Sequence, residues 1–211
     1  PRLRNMAQQL HSFTRHGIYR KYFDGPNSLD YKNNLVVLEL DHLKGKKHLQ
    51  QVVLLQLIAQ LNNEFYLGDR RVPKILLVDE AWEAFEDPMV AKFLEGAFRR
   101  MRKAAAAPVV VTQSLRDLYN SASGEAIANN AANVIVLRQN GEAIEALKES
   151  GRFNIGDYGY EMLKSLHTEP GQYSEVLFRS GTAWGVGRFV AERFSQLTNR
   201  DTEFAVKTML D

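Results

Sequence analysis

Residues 74–82 read K-I-L-L-V-D-E-A-W. The apolar run Ile75, Leu76, Leu77 and Val78 is closed by Asp79 and Glu80. A continuous apolar run of this length marks a strand covered on both faces, as in a parallel sheet. Such sheets hold ligands beyond the carboxyl ends of their strands. The run therefore delivers two adjacent carboxylates to a ligand-binding edge. Asp79 has the chemistry to hold Mg²⁺, largely through coordinated water, because this ion gives up its hydration shell reluctantly. Glu80 has the chemistry to polarise an attacking water. Together they suit nucleotide hydrolysis. The bland alternative is a buried strand running into a helix with an acidic first turn.

On the amino-terminal side, residues 35–40 form an apolar strand candidate, and residues 46–67 a long helix. This helix is apolar nearly all round over residues 52–59, so it is expected to be covered all round. Tyr19, Tyr22 and Phe23 sit beside a turn-rich Gly25-Pro26-Asn27 cluster. On the carboxyl side, Asp87-Pro88 supplies an N-cap and a first-turn proline. Met89, Val90, Phe93, Leu94, Ala97, Phe98 and Met101 then fall on one helical face, opposite Lys92, Glu95, Arg99 and Arg102. Pro108 is expected to end this helix, with a strand at 109–112 and a polar turn-helix region over 113–130. A further strand at 134–137 and helices near 142–149 and 158–165 follow. A hairpin, 173–179 with 184–190, ends the pattern. Strands alternating with helices predict a three-layer α/β sandwich with a mostly parallel sheet.

Gln113 lies just past the second strand of this pattern, in V-V-V-T-Q-S. Its amide can donate to a γ-phosphate and accept from a water. The basic cluster Arg99, Arg100, Arg102 and Lys103 closes the intervening helix. An arginine there has the chemistry to stabilise phosphoryl charge in a neighbouring subunit, although basic residues in a last turn also simply complement the helix dipole. The ordered set of acidic pair, basic helix end and strand-Gln-Ser is more specific than any member alone.

The other composition signals are quiet. The 211 residues hold 27 basic and 25 acidic side chains, a balance of +2 that gives no charge-based case for nucleic acid. No cysteine is present, which excludes disulfides and thiolate metal sites. No apolar run is long enough to cross a bilayer. A G-x-x-x-x-G-K-[ST] phosphate loop is absent: the only Gly-Lys, Gly45-Lys46, has Leu40 where glycine is needed and Lys47 where Ser or Thr is needed. Lys44, Lys46 and Lys47 read as a solvated helix start. Gly185-x-Gly187 lacks the third glycine of a dinucleotide fingerprint. His42, His48 and His167 have no metal-ligand spacing, and Trp82 and Trp184 read as packing residues.

Five stretches carry a resemblance. They are L-E-L-D-H-L-K-G-K-K-H-L-Q-Q-V-V-L-L-Q-L-I (38–58), residues 74–82, V-V-V-T-Q-S-L-R-D-L-Y (109–119), G-Y-E-M-L-K-S-L-H-T-E-P-G-Q-Y-S-E (159–175) and G-V-G-R-F-V (185–190). In collinear order over nearly the whole chain, they resemble the TraC ATPases of F-type conjugation systems. The resemblance implies a RecA-like P-loop NTPase fold and the C-terminal motor region of a type IV secretion ATPase. Residues 1–30 would be the tail of a helical insertion and residues 31–211 the C-terminal part of the ATPase domain. The chain begins with Pro1, and the phosphate-loop lysine is expected upstream of it; the isolated chain is then expected to be inactive as an ATPase.

The family's metal and water carboxylates fall on Asp79 and Glu80, and its γ-phosphate glutamine on Gln113. Its trans-acting arginine matches Arg102 best and Arg100 next, with Arg188 a weaker candidate at a subunit interface. ATP and Mg²⁺ are implied for the full-length protein. Also implied are a homo-hexamer, type IV secretion subunits as partners, and a cytoplasmic place at the bacterial inner membrane. A non-catalytic assembly module and a DNA translocase of the same superfamily are the alternative readings, and direct DNA binding is left open. One departure stands out: residues 104–107 are all alanine where the family has an aromatic or glycine-containing turn. Since alanine is the best helix former, this predicts up to a turn of added helix.

Overall fold

The computed structural model describes residues 2–25, 33–43 and 45–190. Pro26, Asn27 and Lys44, singled out above, lie outside the described residues. The chain divides into two compact units, Pro1–Gln60 and Leu61–Asp211.

The first unit contains α1 (Arg2–His11) and α2 (Arg20–Phe23). Between and within them Phe13, Tyr19 and Phe23 cluster, with ring centroids 5.3 and 5.4 Å from Phe13. Residues 35–40 are not a strand: among the described residues no ladder partner pairs with them, and Leu35 and Val37 are largely exposed. An apolar run becomes a strand only where another strand can satisfy its backbone groups. Most of α3 (Lys47–Asn62) follows. Leu49 and Leu57 are buried, but Leu55 is more than half exposed, so the helix is not covered all round.

In the second unit the end of α3 widens into a π-turn, Asn63–Leu67. The strand β1 (Lys74–Val78) comes next. It leads into α4 (Ala81–Glu86) and α5 (Pro88–Arg100). The Asp87 carboxylate caps α5 by accepting from the backbone N–H groups of Met89 (2.8 Å) and Val90 (3.3 Å), and Pro88 occupies a first-turn position whose N–H would have no partner. Ala91, Leu94 and Ala97 bury the apolar face of α5.

The alanine run does not prolong α5. A 3₁₀ turn, Met101–Ala104, is stopped by Ala105 in the left-handed region (φ 54°). The strand β2 then begins at Ala106, two residues before Pro108. Packing overrides propensity here: Ala106 is buried in a cluster with Phe65, Ala97 and Met101. Pro108 belongs to the strand rather than ending a helix. The Val111 N–H donates to Val78, so by the two-residue period the Pro108 nitrogen faces the open edge, where no donor is required.

β1 and β2 pair in parallel, Lys74 with Ala106 through Val78 with Val110. After β2 come α6 (Leu115–Tyr119), α7 (Ala122–Asn130), β3 (Asn133–Val136), α8 (Gly141–Ser150) and α9 (Gly156–Ser165). Short β4 (Thr168–Glu169) precedes the hairpin β5 (Tyr173–Ser180) and β6 (Ala183–Phe189). The α/β class, the parallel sheet and the C-terminal hairpin are as expected. The parallel part is the β1–β2 pair; β3, β4 and β6 all pair with β5 antiparallel in a separate sheet. Its main core holds Val136, Ile144, Phe153, Leu163 and Leu177, all at most 2% exposed. Buried Tyr160 joins them and donates its hydroxyl to the Phe153 carbonyl at 2.5 Å.

The expected cover on both faces of β1 is missing among the described residues: one face of the parallel pair is bare. Ile75, Leu77, Val109 and Val111 are 72, 60, 38 and 44% exposed, and among the described strands β2 pairs only with β1. Bare apolar faces and unpaired edges promote association. The isolated chain is expected to self-associate, and Ile75→Lys with Leu77→Lys should raise the monomer fraction in light scattering. Asp87→Ala should cost about 1 kcal/mol in urea denaturation, the usual value of a lost N-cap.

Candidate functional site

The parallel register puts the ends of β1 and β2 side by side, and two backbone bonds lock them beyond the strands. The Val111 N–H donates to the Val78 carbonyl at 2.9 Å, and the Ala81 N–H to the Val111 carbonyl at 3.0 Å. Asp79, Glu80 and Gln113 therefore emerge at the same end of the pair. The Gln113 amide nitrogen lies 3.0 and 3.2 Å from the two Glu80 carboxylate oxygens, across 33 residues of sequence. A carboxylate only accepts, which assigns the NH₂ side of the Gln113 amide.

Glu80 is held from its other side as well. The Trp82 indole N–H donates to Glu80 Oε2 at 2.7 Å. Asp79 Oδ1 accepts from the Glu80 backbone N–H at 2.9 Å. Glu80 itself has φ 50° and ψ 42°, a left-handed backbone that is uncommon outside glycine, asparagine and aspartate. That conformation costs about 1–2 kcal/mol, and it occurs where strand, turn and helix over-determine the geometry. All three polar residues are exposed, as suits groups that meet a ligand. Sequence reasoning read Trp82 as packing only. Its indole is 38% exposed and serves as a hydrogen-bond donor; the only sequence signal is its spacing two residues after the glutamate.

The basic segment is not part of this cluster. Ala105 and the start of β2 pair with Lys74, so Arg100, Arg102 and Lys103 sit at the opposite end of the pair. Five residues of strand separate the two ends, roughly 16 Å at the usual rise. Arg102 and Lys103 are exposed. Arg99 is tied to Glu95 at 2.8 Å. Arg188 is engaged inside the hairpin, 3.4 Å from Glu175 and stacked 4.2 Å from the Tyr173 ring centroid. His167 is likewise held there, 2.9 Å from Glu175.

Among the described residues no group of three or more His, Asp or Glu side chains is arranged to enclose a metal. Mg²⁺ is commonly bound by only one or two carboxylates, with waters and substrate phosphates. Asp79, with one oxygen on the Glu80 N–H and the other without a hydrogen bond among the described residues, fits such a role.

Residues 2–179 match the TraG P-loop domain. The chain belongs to this family. It is 30% identical to Protein TraC of Escherichia coli (strain K12) over 159 residues, 72% of this chain but 18% of that protein. Its fold is similar to that of VirB4 of Thermoanaerobacter pseudethanolicus, with a TM-score of 0.62 and 21% identity over 89% of this chain and 50% of that one. The chain thus spans only a part of each of these TraC- and VirB4-like proteins. No helix among the described residues is long and apolar enough to cross a membrane.

Removing the Glu80 carboxylate frees the Trp82 indole. In a Trp184→Phe background, which leaves Trp82 as the single tryptophan, Glu80→Ala should shift and alter the intensity of tryptophan emission. An unchanged spectrum would mean that the Trp82–Glu80 bond does not form in solution.

Proposed function

We propose that this chain is the C-terminal motor part of a conjugative-transfer, type IV secretion ATPase, in which ATP hydrolysis drives pilus assembly and substrate transfer. The observation that carries the reading is the Gln113–Glu80 hydrogen bond, which joins the ends of two parallel strands beside Asp79. In phosphoryl transfer the protein supplies mainly positioning and charge. Asp79 would hold Mg²⁺, which would supply neutralisation of phosphate charge. Glu80 orients the attacking water and accepts its proton. The Gln113 amide, now on Glu80, is poised to exchange that bond for one to the γ-phosphate and so report the nucleotide state. The phosphate loop is absent from these 211 residues, and the isolated chain is proposed to be inactive.

Arg102, and Arg100 beside it, are proposed to act in trans. Their position at the far end of β2 keeps them from the Glu80 of their own chain and suits contact with the next copy in a ring. A homo-hexamer at the cytoplasmic face of the inner membrane, docked on secretion subunits, completes the reading. In the full-length parent, Glu80→Gln should preserve ATP binding and lower turnover by about 10²-fold or more. Arg102→Ala should abolish turnover of the assembled ring only. Full hexamer turnover by Arg102→Ala would remove the arginine assignment, and full turnover by Glu80→Gln the whole reading.

A further inference from the structure

A cavity of about 440 Å³ opens at the basic end of the parallel pair, away from Asp79 and Glu80. Asn62, Tyr66, Arg70, Arg100, Lys103 and Ala104 line it. Three of the six lining residues are cationic and none is acidic. Like charges gathered on an apolar floor repel one another unless a counter-charge joins them.

The carboxylates next to Arg70 and Gly96 in the sequence are already engaged. Arg71 grips Asp69 through both oxygens, at 3.1 Å from Nε and 2.8 Å from Nη2. Hydrogen bonds from the Arg71 side chain and backbone hold the Asp69 carboxyl below its ordinary range. Glu95 is bound by Arg99. Arg70, Arg100 and Lys103 have no acidic partner among the described residues.

One of the three is seated with care. Arg100 donates from Nε to the Gly96 carbonyl at 3.3 Å, and its guanidinium lies over the Tyr66 ring, 5.8 Å from the centroid. A methyl group at position 96 would come within 2.7 Å of the Arg100 guanidinium. Glycine inside a helix costs about 1 kcal/mol relative to alanine. Its presence at 96 leaves room for the guanidinium to lie against α5 and face the cavity.

We propose that this cavity is an anion site for phosphate groups, with Arg70, Arg100 and Lys103 as its donors and Gly96 as a positioning residue. Guanidinium and ammonium groups form charge-assisted hydrogen bonds with phosphate oxygens, and the volume suits a small ligand. The site lies at the other end of the ladder from Asp79, Glu80 and Gln113; it shares Arg100 with the trans-acting arginines proposed above, so the double variant below leaves Arg100 and Arg102 intact. The phosphate can come from a free polyphosphate or from a nucleic-acid backbone.

Calorimetric titration of the 211-residue chain with pyrophosphate, without divalent metal, tests this. Binding is expected, and Arg70→Gln with Lys103→Gln should weaken it by about tenfold or more per cation removed. Gly96→Ala should leave the melting temperature unchanged or raised while weakening pyrophosphate binding, a split that a merely structural glycine would not give. Displacement of pyrophosphate by a single-stranded oligonucleotide would assign the phosphate source to a backbone; lack of displacement would assign it to free phosphate. No binding to the wild-type chain, equal binding by the double variant, or displacement only by a glutamate-rich peptide would overturn the proposal.

Discussion

The parallel ladder between β1 and β2 is the constraint on which the rest depends. Its register, ending at Val78 and Val110, sets where both strands release their chains. A slip of one residue would turn Leu76 out of the Phe65–Ala97–Met101–Ala106 cluster and expose it. It would also carry Gln113 away from Glu80 by about one residue's rise, roughly 3.3 Å. Core packing and site geometry are thus fixed by the same ten residues. The burial of Ala106 and Leu76 against α5 is what keeps two distant segments of sequence in hydrogen-bond range.

Much of this was legible because its signals are local. The Asp87-Pro88 start of α5, the apolar run of β1 as a strand and the C-terminal hairpin each follow from a few neighbouring residues. The convergence of Asp79, Glu80 and Gln113 was legible too, because parallel strands must release their chains at one end. What escaped was decided at a distance. Residues 35–40 have strand-like composition but no ladder partner among the described residues. The alanines at 104–107 favour a helix in isolation, and the pocket filled by Met101 and Ala106 outweighs that preference. The indole of Trp82 was read as packing because its partner depends on the unusual backbone of Glu80, which no composition signal reveals.

The ladder also separates charge. Its carboxyl end carries Asp79 and Glu80, and its amino end carries Arg70, Arg100, Arg102 and Lys103. The near-zero balance of the whole chain conceals this, since it averages all 27 basic and 25 acidic side chains. The arrangement gives one end of the ladder two carboxylates and the other end a group of cations. Net charge is a poor guide wherever opposite charges are gathered at opposite ends of one element.

The backbone of Glu80 has an evolutionary consequence. A residue held at φ 50° with a long acidic side chain opposes the chain's own stability. Glycine there would relax the turn and discard the carboxylate. Selection for robustness alone would therefore erode this position first. A chain that keeps the acid here accepts a weaker turn, and a relative with glycine at this spot should have the sturdier turn.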